Sequence, residues 1–189
     1  MKIGLYFGSF NPIHAGHLIV AQQLLVQAGL DKVWFVLSPQ NPLKLSQNLL
    51  AEEKRLILLR SAIKGNDRFE VSEVELNMPK PSFTIDTLDK LVQEFPEHTF
   101  SMLLGSDNLE KFVLWKNYEK ILNGFKLLVY TRGIIDEKWE QYRNIILYDV
   151  PYIHISATYI RHLVKEKKSI RYLVPPQVEG EIMKWYSEE

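Results

Sequence analysis

Cysteine is absent from all 189 residues. That excludes disulfides, Cys-based zinc sites and thiol nucleophiles together, and it fits a reducing cytoplasm. A charge excess is missing too: Lys+Arg and Asp+Glu both number 23, for a formal net charge of zero. Proteins that hold long nucleic acid by its backbone carry a basic surplus, so any nucleotide partner expected here is small. No stretch approaches the roughly 20 apolar residues of a membrane span. The apolar run that follows the single Lys2 is short and is interrupted by Gly4, unlike a signal peptide. There is no internal repeat and no low-complexity segment. The expectation is a soluble, cytoplasmic protein with neither nucleic acid nor membrane as partner.

What is present is an ordinary apolar fraction, 46%, in a chain long enough for one domain over residues 1–189 with a substantial core. Residues 2–7 read as a buried strand and residues 18–26 as a helix. Between them lies GSFNPIHAGH at positions 8–17, a strand-to-helix turn that carries His14 and His17 three residues apart. Residues at i and i+3 share a helix face, so both imidazoles can point over the helix N-terminus. That end already offers unpaired N–H groups and a partial positive charge. Two imidazole donors added to it make a site for a phosphate chain, above all one gaining charge in a transition state. Singly, Gly8 reads as a turn glycine, Pro12 as a loop proline and each His as a cap. A metal reading lacks a third ligand at suitable spacing. Together these residues favour phosphate.

Further along, residues 32–37 read as a second buried strand, completing a βαβ unit. Lys44 follows in a proline-bearing loop, where it is either a solvated lysine or a ligand contact. Residues 52–63 form an amphipathic helix with Leu56, Leu59 and Ile63 inward. Residues 68–72 form a short strand. A helix from Thr84, its expected N-cap, runs to about Phe95. The strand at 98–104 ends in Gly105 and Asp107, the latter placed for ribose hydroxyls or for an Asx turn. Residues 111–122 read as helical with Trp115 near the middle, a core residue or a stacking face. The strand at 125–130 is followed by Arg132, a candidate anion clamp, and 144–148 is a shorter strand. Ser156 caps a further helix bearing Thr158 and Arg161, and Pro175-Pro176 opens a last helix, about 175–187, as a C-terminal packing element. Strands alternating with helices make a single doubly wound, Rossmann-like α/β domain with a mainly parallel sheet of about five to six strands. The expected site is the crevice above the strand C-termini, where the histidine turn and the residues following each later strand converge.

With GSFNPIHAGH near one end and ISATYIR at 155–161 near the other, the chain resembles the HIGH-motif nucleotidyltransferases. GSD at 105–107, SFTIDT at 82–87, Trp115 and TRG at 131–133 make it similar to the bacterial nicotinate-nucleotide adenylyltransferases within them. The resemblance implies adenylyl transfer from ATP to nicotinate mononucleotide, giving deamido-NAD and pyrophosphate in NAD biosynthesis, without a covalent enzyme intermediate. It implies His14, His17 and Arg161 as catalytic residues. ATP contacts are implied for Gly8, Ser9, Phe10, His14, His17, Gly105, Asp107, Ile155, Ser156, Thr158 and Arg161. Mononucleotide contacts are implied for Asn11, Lys44, Thr84, Trp115 and Arg132. Mg²⁺ would be held mainly through the ATP phosphates and water, with no dedicated protein ligands. The protein would be a monomer or small homo-oligomer. The family usually has Asp where this chain has Asn11, which keeps an acceptor and drops a charge. Related alternatives are a nicotinamide-mononucleotide or phosphopantetheine adenylyltransferase. From another class comes a non-catalytic nucleotide-binding regulatory domain, although Gly4 and Gly8 do not form G-x-G-x-x-G.

Overall fold

Among the described residues, six strands, all parallel, form one sheet in the order β3-β2-β1-β4-β5-β6. They are β1 (Lys2–Gly8), β2 (Lys32–Leu37), β3 (Phe69–Ser72), β4 (Thr99–Gly105), β5 (Lys126–Tyr130) and β6 (Ile145–Tyr148). The computed structural model describes residues 1–40, 49–131, 136–139, 141–151 and 153–188. The helices are α1 (Ala15–Gln27), α2 (Glu52–Ile63), α3 (Thr84–Glu94), α4 (Ser106–Leu109), α5 (Tyr118–Gly124), α6 (Ala157–Lys165) and α7 (Pro176–Ser187).

The near-continuous apolar strands follow from covering both sheet faces, as parallel sheets require. On one face Tyr6, Phe35, Leu103 and Leu128 pack with α1, α2, α6 and α7. On the other, Ile3, Leu5, Val36, Met102 and Val129 pack with α3 and α5. Alternate residues of one strand therefore serve two cores. Strand order reverses between β1 and β4, so their C-terminal ends, Gly8 and Gly105, open the crevice in which ligands of such sheets bind.

Three local expectations are corrected. Thr84 is the first residue of α3 and not its cap: Phe83 is the extended N-cap residue, and its carbonyl accepts from Asp86 and Thr87 N–H at 3.0 and 3.2 Å. The helix expected over 111–122 is broken. Phe112–Leu114 is a 3₁₀ turn, Trp115 is extended, and Asn117 adopts a left-handed φ of 51° before α5 begins. Asparagine tolerates that conformation better than most residues, so Trp115 ends up on a bend. Finally, Leu56 is only partly buried, while Arg55 and Leu58 are buried in α2.

Candidate active site

The histidine turn is built by close approach. Gly8 leaves β1 with the Phe10 ring against it, and a Cβ there would meet that ring at 2.9 Å. Phe10 takes a left-handed φ of 43° and is buried among Tyr6, Phe35 and His17. A non-glycine residue in that conformation costs about 1–2 kcal/mol, which packing of the ring offsets. At Gly16 a Cβ would stand 3.1 Å from two atoms of the His14 imidazole, so the H-x-G-H spacing keeps that ring unobstructed.

His14 is the extended N-cap residue of α1 and is buried. Its N–H donates to Nδ1 of His17 at 3.3 Å, and the two imidazoles stack with centroids 3.6 Å apart. Because Nδ1 of His17 accepts, its ring proton sits on Nε2, the tautomer that offers an outward N–H to a ligand. Tyr6 and Phe10 hold the ring edge-on at 6.0 and 5.2 Å.

A second helix end faces the first. Ser156 caps α6 by accepting from Tyr159 N–H at 3.1 Å. Arg161 spans the two turns: Nη1 donates to the Asn11 carbonyl at 2.6 Å and Nη2 to Thr158 Oγ1 at 3.2 Å. Two positive helix termini, two imidazoles and a guanidinium thus converge, an arrangement suited to a polyanion.

These groups line one cleft of about 640 Å³. Gly8, Ser9, Phe10, Asn11, His14 and His17 line it from the β1 turn, and Gly105 and Asp107 from the end of β4. Ile155, Ser156, Thr158 and Arg161 come from α6 and its approach, Thr84 and Trp115 from the opposite wall. Lys44 and Arg132 lie outside the described residues. Trp115 is half-buried on Phe112, with centroids 5.3 Å apart.

Several side chains at the cleft carry no motif. Arg55 is buried beneath it and, among the described residues, donates to four carbonyls: Nε to Leu50 at 2.9 Å, Nη1 to Ser9 and Ser38 at 2.6 and 2.9 Å, and Nη2 to Pro39 at 3.1 Å. Burial pulls its guanidinium below its ordinary pKa. The one available signal was a cation in the apolar stripe of α2, one turn ahead of Leu58 and Leu59. Asn11 is buried as well; its Oδ1 accepts from Tyr186 OH of α7 at 2.7 Å and from Leu50 N–H at 3.2 Å. Its side chain therefore ties the histidine turn to the C-terminal helix.

Glu75 is buried on the wall that carries Thr84, accepting from Ser82 Oγ at 2.8 Å, from Thr87 Oγ1 at 2.9 Å and from the Ser38 side chain. Nothing in its sequence neighbourhood marks it. Burial raises its pKa above the ordinary 4.5 despite these hydroxyls. In the window from 4.5 up to that raised value the folded chain holds a proton that the unfolded chain has released, so raising the pH through it removes stability. Glu75→Gln abolishes this contribution. The Tm difference between variant and wild type therefore shifts in the variant's favour as pH rises from about 4.5, read by thermal melts across that range. A difference independent of pH would contradict it.

The fold and the anion-suited cleft at the β1/β4 crossover define a nucleotide-handling α/β domain. Residues 5–163 match the family described as cytidylyltransferase-like, and the chain belongs to that family. Among its relatives it is 48% identical to a Cytophaga hutchinsonii protein named "Probable nicotinate-nucleotide adenylyltransferase", over 99% of both chains. It is 42% identical to one of the same name from Flavobacterium psychrophilum, over 94% of each. In fold it is similar to a Plasmodium falciparum nicotinic acid mononucleotide adenylyltransferase complexed with NaAD. The TM-score is 0.83 at 21% identity, covering 100% of this chain and 98% of that one. No helix among the described residues is long and apolar enough to cross a membrane.

Proposed function

We propose that this protein transfers the adenylyl group of ATP to nicotinate mononucleotide, releasing pyrophosphate and nicotinate adenine dinucleotide. An oxygen of the mononucleotide phosphate bonds to the α-phosphorus. The bond from that phosphorus to the oxygen bridging to the β-phosphate breaks, and the leaving pyrophosphate keeps the electron pair. No proton transfer and no enzyme nucleophile are needed, so catalysis rests on positioning and charge stabilisation.

The observation that carries this reading is the meeting of the α1 and α6 N-termini across Arg161, with the His14–His17 stack beside them. His14 and His17, through the Nε2–H of His17, meet the charge that builds on the ATP phosphates. Arg161, Thr158 and the N-terminal amides of α6, capped by Ser156, hold the pyrophosphate end. Gly8, Ser9, Phe10 and Ile155 shape the ATP side, and Asp107 takes ribose hydroxyls. Thr84 and Trp115 receive the mononucleotide ring, with Asn11, Lys44 and Arg132 assigned to the mononucleotide by the family likeness. The co-substrate is Mg²⁺-ATP, the cation being carried by phosphate and water, which suits a cleft end built of imidazoles, hydroxyls and a guanidinium.

Residues 1–189 act as one nucleotidyltransferase domain with α7 as its packing element, a reading supported by the Tyr186–Asn11 bond. Zero formal charge and the absence of cysteine support a cytoplasmic enzyme, monomeric or a small homo-oligomer, with small-molecule partners. Pyrophosphate release from ATP with nicotinate mononucleotide, nicotinamide mononucleotide and phosphopantetheine in parallel tests it. Fastest turnover with the nicotinate compound is expected. Release with none of the three would return the chain to the non-catalytic class.

A further inference from the structure

The histidine turn is held from the far end of the chain. The Ala15 N–H, one of the donors that the start of α1 leaves over, donates to the Leu173 carbonyl at 2.9 Å. The Tyr186 hydroxyl donates to Asn11 Oδ1 at 2.7 Å. His14 lies between these two holds, and both come from the segment that leads into and forms α7.

Tyr186 is the side chain of the two. Its ring continues the buried stripe of Val178 and Ile182 along α7, and that packing needs no hydroxyl. A buried tyrosine hydroxyl needs a partner, and this one meets a residue of the cleft. Asn11 Oδ1 accepts a second bond from Leu50 N–H at 3.2 Å, and the Leu50 carbonyl accepts from Arg55 Nε. An amide oxygen has two lone pairs, so both are filled from within the protein and the Asn11 side chain is fixed.

The same residue holds the guanidinium of α6. Arg161 Nη1 donates to the Asn11 main-chain carbonyl at 2.6 Å, and Nη2 to Thr158 Oγ1 at 3.2 Å. Thr158 lies one turn away on the arginine's own helix, so Asn11 is the contact that sets Arg161 against the β1 turn. Two hydrogen bonds through one residue therefore run from α7 to the phosphate end of the cleft.

We infer that Tyr186 is a positioning residue for the transfer step: by fixing Asn11 it fixes the carbonyl that aims Arg161 at the leaving pyrophosphate. The inference rests on the adenylyl-transfer reading above. Tyr186 is buried in the core, so it acts through Asn11 and not on the substrate.

The test is kcat and KM with ATP and nicotinate mononucleotide, at a temperature where circular dichroism shows each variant folded. Tyr186→Phe keeps the ring and removes the hydroxyl. Its kcat is expected to fall roughly tenfold, because an ångström of misplacement can cost on the order of 10² in rate. KM for the mononucleotide, bound at the opposite wall, stays within about twofold, as for an interaction made in the transition state. Ile182→Val, on the same stripe and without a polar contact, lowers Tm and leaves kcat as it was. Arg161→Lys supplies the second background, since a single ammonium cannot span Asn11 and Thr158 as the guanidinium fork does. There Tyr186→Phe is expected to lower kcat by less than about twofold, the non-additivity of residues that act through one another. A Tyr186→Phe protein that loses Tm and keeps its wild-type kcat would overturn the inference, leaving the hydroxyl a packing contact. So would a tenfold loss in both backgrounds. Either result leaves adenylyl transfer standing, whereas a wild-type protein that releases no pyrophosphate would overturn both.

Discussion

Replacing His17 by alanine lowers kcat for pyrophosphate release by on the order of 10²–10³, the loss that follows removal of one preorganised donor from a developing oxyanion. The same ring has a second job, because its Nδ1 accepts the His14 N–H at the start of α1. Losing that cap costs about 1 kcal/mol, which moves Tm by roughly 2–4 °C for a chain of this size and cannot by itself slow chemistry a hundredfold. His17→Asn separates the two roles. Its amide oxygen stands near the place of Nδ1 and restores the cap, while nothing replaces the Nε2–H. The asparagine variant is therefore expected to melt like wild type and turn over like the alanine variant. A near-wild-type rate in both would reduce His17 to a structural cap.

The largest stability effect is expected at Arg55. Arg55→Met keeps an unbranched chain in a buried position but strips the donors from four carbonyls, those of Ser9, Ser38, Pro39 and Leu50. Each buried acceptor left unmatched costs about 1–3 kcal/mol, reduced where water enters from the cleft. The sum expected is about 3–5 kcal/mol, with Tm lowered by roughly 10 °C or more. Because Ser9 belongs to the histidine turn and Ser38 to the end of β2, KM for ATP is expected to rise in whatever fraction stays folded. A Tm within two or three degrees of wild type would mean that the four carbonyls find other donors, and that Arg55 is no clamp.

Much of the architecture was legible in the chain, for a physical reason that also marks where legibility stops. Buried parallel strands need side chains that are apolar on both faces, so β1, β2, β4 and β5 stand out as largely apolar runs, and the turns after them identify the crevice. Local chemistry likewise announced the Ser156 cap and the proline at the start of α7. Trp115 was misplaced in a helix because apolar periodicity does not register the left-handed φ that Asn117 takes before α5. Thr84 was misread as a cap because the extended backbone at Phe83 belongs to a connection wrapped around Glu75, and no local rule foresees that.

Composition and pattern alone determined that this is a cysteine-free, charge-balanced α/β chain with a phosphate-suited turn after its first strand and another before α6. Those properties are written in short stretches, where periodicity and capping act over a few bonds. Only the tertiary structure decided what lies under and beside the turns: Arg55 joining the connections after β1 and β2, Tyr186 reaching Asn11 across 175 positions and Glu75 in its ring of hydroxyls. The bonds from Arg55 to Ser9 and from Tyr186 to Asn11 join segments far apart in the chain. Their partners are chosen by how helices settle on the sheet, a consequence of the whole core that no window of residues contains.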